Sequence, residues 1–284
     1  MTSIVIPAHN EAQVIARLLD SLLADSESRE DENDIVVVCN GCTDDTARIA
    51  AARGPRVRVV EIPTPSKHAA LRAGDDHARG FPRVYVDADV VITGADVRAL
   101  TEPLDDGVSG ILATAPARRI PLDGCAWRVR AYYRVWQRLP VVREGLFGRG
   151  VIAVSKAGHA RIAALPPLMA DDLAASLAFA PAERLVVGAA EVVVHPPRTW
   201  PDLINRRIRA AVSTTQVEQH RGPEEATART SKADLIALLR AEPKLLPAVV
   251  VFVAAAVVAR RKAQKAVRAQ DFGTWLRDES SRQN

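Results

Sequence analysis

A doubly wound, mostly parallel α/β sheet flanked by helices is the fold this sequence predicts, and three observations carry the prediction. Short β-branched apolar runs alternate with helical patterns from Ser3 to Val86, in a β-α-β-α-β-α-β rhythm. The polar clusters Pro7 to Glu11, Cys39 to Asp45 and Asp87 to Asp89 follow the first, second and fourth of those runs. Sheets of this kind bind ligands at the carboxyl ends of their strands. The chain has 284 residues, 48% hydrophobic and 25% charged, enough for a large core in one α/β domain plus an appendage.

Ser3 to Ile6 reads as the first strand, stopped by Pro7. The helix after it carries Val14, Ile15, Leu18, Leu19, Leu22 and Leu23 at helical spacing, and a polar linker follows from Ser26 to Asp34. Ile35 to Val38 is the second strand. Thr43 or Asp44 is placed to cap a helix over Thr46 to Arg53. Val57 to Ile62 is a third strand, Lys67 to Ala78 a helix, and Val84 to Val86 a fourth strand that ends in Asp87-Ala88-Asp89. Beyond it the sequence predicts a helix at Ala95 to Leu104, a strand at Val108 to Ala115, an aromatic basic helix from Trp127 to Leu139, and a strand at Val151 to Val154. An apolar helix at Leu173 to Phe179, a strand from Val192 to His195 and a helix at Leu235 to Leu239 complete it, with a polar connection at Gly222 to Lys232.

The Asp87-Ala88-Asp89 stretch holds the most chemistry. Two carboxylates on one strand end raise each other's pKa unless a cation lies between them. A hard divalent ion removes that cost, because Mg²⁺ takes one or two protein carboxylates and fills its other positions with phosphate oxygens and water. Ala88 is small enough for a bulky ligand to lie against the backbone. The alternative is a pair of solvated turn aspartates. Cys39 and Cys42 form C-x-x-C, but a structural zinc site needs two more suitably spaced ligands and only Cys125 remains among the cysteines.

A net charge of +4 and a pI of about 9.2 suit a negatively charged small substrate or an anionic membrane surface. No run interleaves Arg or Lys with stacking aromatics, so nucleic acid is not an expected partner. An odd cysteine count of three argues against a disulfide scaffold and for a reducing compartment. The start of the sequence has no charged n-region, long apolar stretch or cleavage site, so no signal peptide is predicted.

Four segments in order, I-V-I-P-A-H-N-E-A, V-V-V-C-N-G-C-T-D-D-T, K-H-A-A-L-R-A-G and V-D-A-D, resemble the nucleotide-binding half of a family 2 glycosyltransferase with the GT-A fold, over about residues 3 to 210. The resemblance implies an inverting transfer of sugar from a nucleotide-diphosphate sugar to an acceptor hydroxyl. It further implies a cytoplasmic role in cell-envelope polysaccharide, glycolipid or other glycoconjugate synthesis, with Mg²⁺ or Mn²⁺ as cofactor. The acceptor would be a sugar, a lipid-linked compound or a small molecule. A catalytic domain over 1–220 is implied, its nucleotide half at about 1–95 and its acceptor half at about 96–220, with a helical region at 221–284. By matching positions, Pro7, Ala8, Asn10, Glu11, Asn40 and Gly41 line the nucleoside site, and Lys67 lies near the diphosphate. Asp89, with Asp87, holds the metal. Leu146 to Val151, with Gly148 and Arg149, resembles the family's glycine loop near the donor sugar. In Asp171-Asp172 the second residue takes the catalytic base position, with Asp171 the alternative, and Ala178 stands where the family has arginine. His195 takes a metal-proximal position. Asn205, Arg206 and Arg209 align loosely with the family's Q-x-x-R-W segment without its Trp, either bracing the diphosphate or as surface charge.

One departure concerns the end of the second strand, where an acidic pair before Gly-Ser is usual and Cys39-Asn40-Gly41-Cys42 stands here. An amide has donors that a carboxylate lacks, so the sequence leaves the nucleotide base open. Trp127, Tyr132, Tyr133 and Trp136 serve either as helix packing or as acceptor contact. A sugar-1-phosphate nucleotidylyltransferase shares the topology but needs a Gly-rich, Arg-containing first loop, which Pro7 to Glu11 is not. A catalytically inactive nucleotide-sugar-binding scaffold is opposed by the intact D-A-D and D-D. Leu245 to Ala259 is apolar throughout and is followed by Arg260, Arg261, Lys262, Lys265 and Arg268. Its ~22 Å length falls short of the ~30 Å hydrocarbon core. It reads either as a core helix or as a shallow or re-entrant membrane helix with its basic tail on anionic headgroups.

Overall fold

The computed structural model describes residues 1–24, 33–105, 109–165, 171–221 and 230–268. Most of the expected linker at 26–34, the expected strand start at Val108, Met169 and Ala170, most of the connection at 222–232 and the end of the basic tail lie outside the described residues.

Seven strands form one sheet: β1 (Thr2–Ala8), β2 (Asn33–Asn40), β3 (Val57–Ile62), β4 (Arg83–Val86), β5 (Ala113–Arg119), β6 (Val151–Val154) and β7 (Arg184–Val193). Their order is β3-β2-β1-β4-β6-β5-β7. β6 runs antiparallel to β4 and β5, and every other pairing is parallel. This is the mostly parallel sheet the sequence predicts.

The helices are α1 (Ile15–Leu23), α2 (Thr46–Ala51), α3 (Lys67–His77), α4 (Gly94–Asp105), α5 (Trp127–Trp136), α6 (Pro140–Glu144), α7 (Lys156–Ala163), α8 (Asp171–Leu177), α9 (Trp200–Arg221), α10 (Lys232–Ala241) and α11 (Leu246–Arg268). The chain divides into two compact units. The first comprises Met1–Arg119, Leu146–Pro167 and Ala178–Val194, and contains the whole sheet with α1 to α4 and α7. The second comprises Ile120–Gly145, Leu168–Leu177 and His195–Asn284, and contains α5, α6 and α8 to α11.

Three strands depart from the sequence reading. β1 does not stop at Pro7 but pairs with β2 as far as Ala8. β4 lies beside β1 only from Ser3 to Val5, so Pro7 sits where the strand has one neighbour and its missing N–H costs no ladder bond. β5 lies later than the expected 108–115, in the Ala- and Pro-rich stretch Ala113–Arg119, with a register shift between Pro116 and Ala117. β7 begins at Arg184, eight residues before the expected Val192, because its exposed edge residues and Gly188 dilute the apolar signal.

In the first unit, Ile4 and Ile6 of β1, Val37 of β2 and Val84 of β4 pack with Ile15, Leu18 and Leu19 of α1 in the main core. On the other face Val36 and Val38 meet Ala70 of α3. Gly74 of α3 lets that helix press on β1, for a methyl there would lie 2.3 Å from Val5 Cγ1. In the second unit α5, α9 and α11 pack together, and the buried Tyr132 ring stacks on Phe252 at 5.1 Å.

Alanine normally stabilises a helix interior relative to glycine. At Gly74 overpacking against Val5 wins, so Gly74→Ala should lower unfolding stability by about 1–3 kcal/mol, read from the urea midpoint. A raised midpoint would show that α3 does not press on β1 as described.

Candidate active site

The loops after β1 and β2 are laced together. The His9 Nδ1 lies 2.6 Å from the Asn40 carbonyl oxygen. Asn10 adopts φ +55° and accepts the Thr43 N–H on Oδ1 at 2.8 Å. The Glu11 N–H donates to Thr46 Oγ at 2.8 Å, and the Cys42 thiol donates to the Ala8 carbonyl at 3.3 Å. Asp44 accepts from the Thr46 N–H and from the Ala12 N–H, each at 3.1 Å. Neither expected residue is the cap of α2: the N-cap position falls on Asp45, whose side chain makes no capping bond, and Asp44 accepts the Thr46 N–H from one residue further out. Partial burial works against its charge, and the hydrogen bonds from Thr46 and Ala12 outweigh that, so Asp44 is held below the usual carboxylate range. Gly41 sits at φ +60° with its N–H on the Ile62 carbonyl at 2.8 Å; a Cβ there would meet Pro65 at 3.0 Å.

These bonds bring together Pro7, Ala8, Asn10, Glu11, Asn40 and Gly41. Asn40 is buried, and its Oδ1 has no hydrogen-bond partner within the protein. A buried acceptor without a partner is costly, and an N–H of a bound ligand would satisfy it. Burial pushes the Cys39 thiol up to about 12, with the Cys42 sulfur adding to the shift. Cys39 therefore stays protonated at neutral pH and is a poor thiolate ligand or nucleophile.

At the end of β4, Ala88 turns its methyl into the core while Asp89 is exposed and Asp87 half-buried. The Asp87 N–H donates to the Gly150 carbonyl at 2.8 Å, and its Oδ1 accepts from Lys67 Nζ at 2.6 Å. Lys67 opens α3, whose Ser66 cap accepts the Ala69 N–H. Gly150 has φ +68°, and a Cβ on it would lie 2.4 Å from Val90 Cγ2 and 3.4 Å from Asp87 Oδ2. Gly148, at φ +65°, accepts on its carbonyl from Arg118 Nη1 at 3.2 Å. Arg149 departs from the expectation of a ligand-facing side chain. It is 2% exposed and donates to the Pro116 carbonyl at 2.9 Å, with its pKa drawn down to about 10 by burial. It remains a cation at neutral pH, committed inward to β5.

Among the described residues no three of His, Cys, Asp and Glu converge as a ready-made metal cluster. The donor set at β4 is two hard carboxylates with close backbone approach beside them. That suits a divalent ion which takes its remaining ligands from phosphate and water.

In the second unit, Asp172 stands exposed in the first turn of α8, with Oδ1 accepting the Leu173 N–H at 2.8 Å. The side chain of Asp171 lies outside the described residues. Arg206 of α9 donates to the carbonyl oxygen of the half-buried His195 at 3.2 Å, tying the start of this segment to α9. The aromatic helix α5 divides its labour. Tyr132 and Tyr133 are buried packing, whereas Trp127 is 60% exposed. The Arg128 guanidinium lies 5.3 Å from the Trp127 ring and 5.8 Å from that of Trp200.

Sequence reasoning missed His9, Cys42, Asp44 and Thr46 as the residues that shape the first loop. The signal was the run of short polar side chains in Cys42-Thr43-Asp44-Asp45-Thr46, which hydrogen-bond backbone across the gap between two loops.

The profile of glycosyl transferase family 2 matches residues 3–158, and the chain belongs to that family. A dolichyl-phosphate beta-glucosyltransferase of Trichomonas vaginalis is 39% identical over 97 residues, 31% of this chain and 29% of that protein. An undecaprenyl-phosphate 4-deoxy-4-formamido-L-arabinose transferase of Edwardsiella ictaluri is 33% identical over 110 residues, 37% of this chain and 34% of that protein. The chain thus spans about a third of the length of these relatives. A mannosyltransferase from Pyrobaculum calidifontis, solved with GDP-Man and Mn²⁺, superposes with a TM-score of 0.60 at 20% identity, covering 96% of this chain and 81% of that one. The fold is GT-A.

Asp44→Ala should unlace the two loops by removing the acceptor of the Ala12 and Thr46 N–H groups, and cost about 1 kcal/mol at neutral pH. A depressed carboxylate contributes stability above its unfolded pKa of about 3.9 and loses it as pH falls through the lower folded value. The difference between wild type and variant should therefore shrink below about pH 4. Denaturant titrations at pH 7 and in acid check both points, and a difference that grows in acid would contradict the assignment.

Proposed function

We propose that this protein is an inverting glycosyltransferase that moves a sugar from a nucleoside-diphosphate sugar to a hydroxyl of a lipid-linked acceptor. The observation that carries the reading is the Asp87-Ala88-Asp89 turn at the end of β4, with Lys67 on one carboxylate and Gly150 against its backbone. The unpartnered Asn40 acceptor at the end of β2 supports a base-binding role for that loop, with Pro7, Ala8, Asn10, Glu11 and Gly41 around it.

Asp89 and Asp87 would hold Mg²⁺ or Mn²⁺, and His195 is proposed as a further ligand. Such an ion, when bound, supplies Lewis-acid stabilisation of the leaving diphosphate. Lys67 adds positive charge at the same place by exchanging its Asp87 contact for a phosphate oxygen. Gly148 and Gly150 allow backbone approach to the donor sugar, and Arg206 fixes the His195 segment. Asp172 accepts the acceptor proton as the acceptor oxygen attacks the anomeric carbon. The bond from that carbon to the diphosphate oxygen breaks on the opposite face, so configuration inverts and the nucleoside diphosphate departs. Asp171 is the second candidate for the base. The polyprenyl-phosphate substrates in the names of the two relatives support a lipid-linked acceptor. A place at the cytoplasmic face of a membrane follows, where nucleotide sugars are available.

Two experiments test this. Calorimetry with nucleoside diphosphates and Mn²⁺ should show binding that EDTA and Asp89→Ala both abolish; unchanged affinity in both would remove the metal–diphosphate reading. Asp172→Asn should leave that affinity intact and cut turnover by about 10²–10⁴-fold, the usual share of a general base. Near-normal turnover would move the base to Asp171.

A further inference from the structure

The consecutive helices α10 and α11 carry more apolar surface than water-facing elements tolerate. α10 reads K-A-D-L-I-A-L-L-R-A, yet none of its residues is buried, and Ile236 is 50% exposed. α11 has two apolar faces. One holds Ala248, Val249, Phe252, Ala255, Ala259 and Ala263, all buried, and the helix packs on α5 and α9. The other presents Leu246 at 55%, Val250 at 62%, Val253 at 40% and Val257 at 43% exposure. These four recur at i, i+4, i+7 and i+11, which is one stripe of a helix. Alanines make up most of the inner face, with Val249 and Phe252 among them, yet large branched residues also face outward. Contiguous exposed apolar surface of this kind marks an interaction site.

We propose that this stripe, with Ile236, is a monotopic docking face for an anionic lipid bilayer, and that α11 lies in the plane of the interface rather than crossing it. By length and composition α11 qualifies as a span. Its packing excludes that, because one face is committed to α5 and α9. The exposed stripe from Leu246 to Val257 is about 17 Å long, against about 30 Å of hydrocarbon. Charge selects the occupant. Lys244 precedes the stripe and Arg260, Arg261 and Lys262 follow it, all exposed; the nearby acid Glu242 is paired with Arg138 at 2.9 Å, and α11 contains no acidic residue. Anionic headgroups complement both ends at once. A second copy does not. Paired antiparallel along the stripe, Arg260 and Arg261 would meet Lys244; paired parallel, each cluster would meet its own image. The proposal rests on the lipid-linked acceptor of the preceding reading for its purpose, and on α10 and α11 alone for the surface.

The test is flotation of the full chain with phosphatidylcholine vesicles, with and without phosphatidylglycerol. Wild type should float with the anionic vesicles. Val250→Glu/Val253→Glu should reduce the floated fraction about tenfold, as loss of two inserted apolar side chains for two repelled charges requires. Arg260→Gln/Arg261→Gln should abolish the dependence on phosphatidylglycerol, and Val250→Leu/Val253→Leu should raise flotation on both vesicles. Circular dichroism checks that each variant is folded, and the leucine and glutamine variants decide the matter if the glutamate variant is not. Absence of wild-type flotation, or equal flotation of all folded variants, overturns the proposal. So does a wild-type dimer, seen by light scattering, that the glutamate pair converts to monomer. Nucleoside-diphosphate binding measured in parallel separates the two readings. Flotation with no donor binding sinks the enzymatic reading alone, and donor binding with no flotation sinks the docking face alone.

Discussion

The delivery of Asp87 and Asp89 to the end of β4 is the constraint on which the arrangement of the first unit turns. β4 is four buried residues long and delivers two carboxylates to one strand end, with the methyl of Ala88 turned inward between them. Such a pair needs positive charge close by. The fold provides Lys67 at the first position of α3, 2.6 Å from Asp87. That contact depends on where α3 lies, and α3 lies close to β1 only because residue 74 has no side chain to collide with Val5. On the other flank Gly150 brings a backbone carbonyl onto the Asp87 N–H, and the same loop carries the buried cation Arg149. A glycine in a helix interior, a lysine at a helix start and a glycine in a distant loop thus serve one strand end.

How much of this is legible in sequence varies with how local the cause is. β3 and β6 match the expected boundaries, and β2 and β4 contain the expected runs, because continuous Val and Ile runs with turn residues at their ends leave few alternatives. β5 and β7 are another matter. Ala113–Arg119 contains three alanines and a proline, residues depleted in strands, and pairs because β6 and β7 flank it. β7 holds a second apolar run, Leu185-Val186-Val187, but Gly188, two alanines and Glu191 separate it from Val192, and the strand reads from the later run alone. Tertiary pairing overrode propensity in both.

The residues of the candidate site divide in the same way. Asp87 and Asp89 stand out because two acids flanking one small residue after an apolar run demand an explanation. The lacing between the first two loops does not, for it joins Glu11 to Thr46 and Asn10 to Thr43, residues more than 30 apart in the chain. Each of those residues looks like ordinary turn chemistry alone. Only the parallel register of β1 on β2, with Ala8 opposite Cys39, places them together. The inward turn of Arg149 is hidden for a similar reason. A basic residue between two glycines suggests a ligand contact, and nothing local shows that the Pro116 carbonyl lies within its reach.

The C-terminal apolar run shows a limit of a different kind. Hydropathy sums over all sides of a helix and cannot distinguish a helix buried on every side from one buried on half and bare on the other. Leu245 to Ala259 reads as core or as membrane because it contains the material of both. What separates them is exposure along the helix: 248, 249, 252, 255 and 259 are buried, whereas 246, 250, 253 and 257 are bare. Alanines permit a close approach to α5 and α9, so the helix is held by packing area near its axis. The bare residues then have no neighbour to meet. A water-facing helix would carry charge at those four positions, as α11 itself does from Arg260 onward. The change from valine to arginine along one continuous stripe is what an in-plane helix requires at the edge of its lipid contact, where the hydrocarbon ends and the headgroups begin.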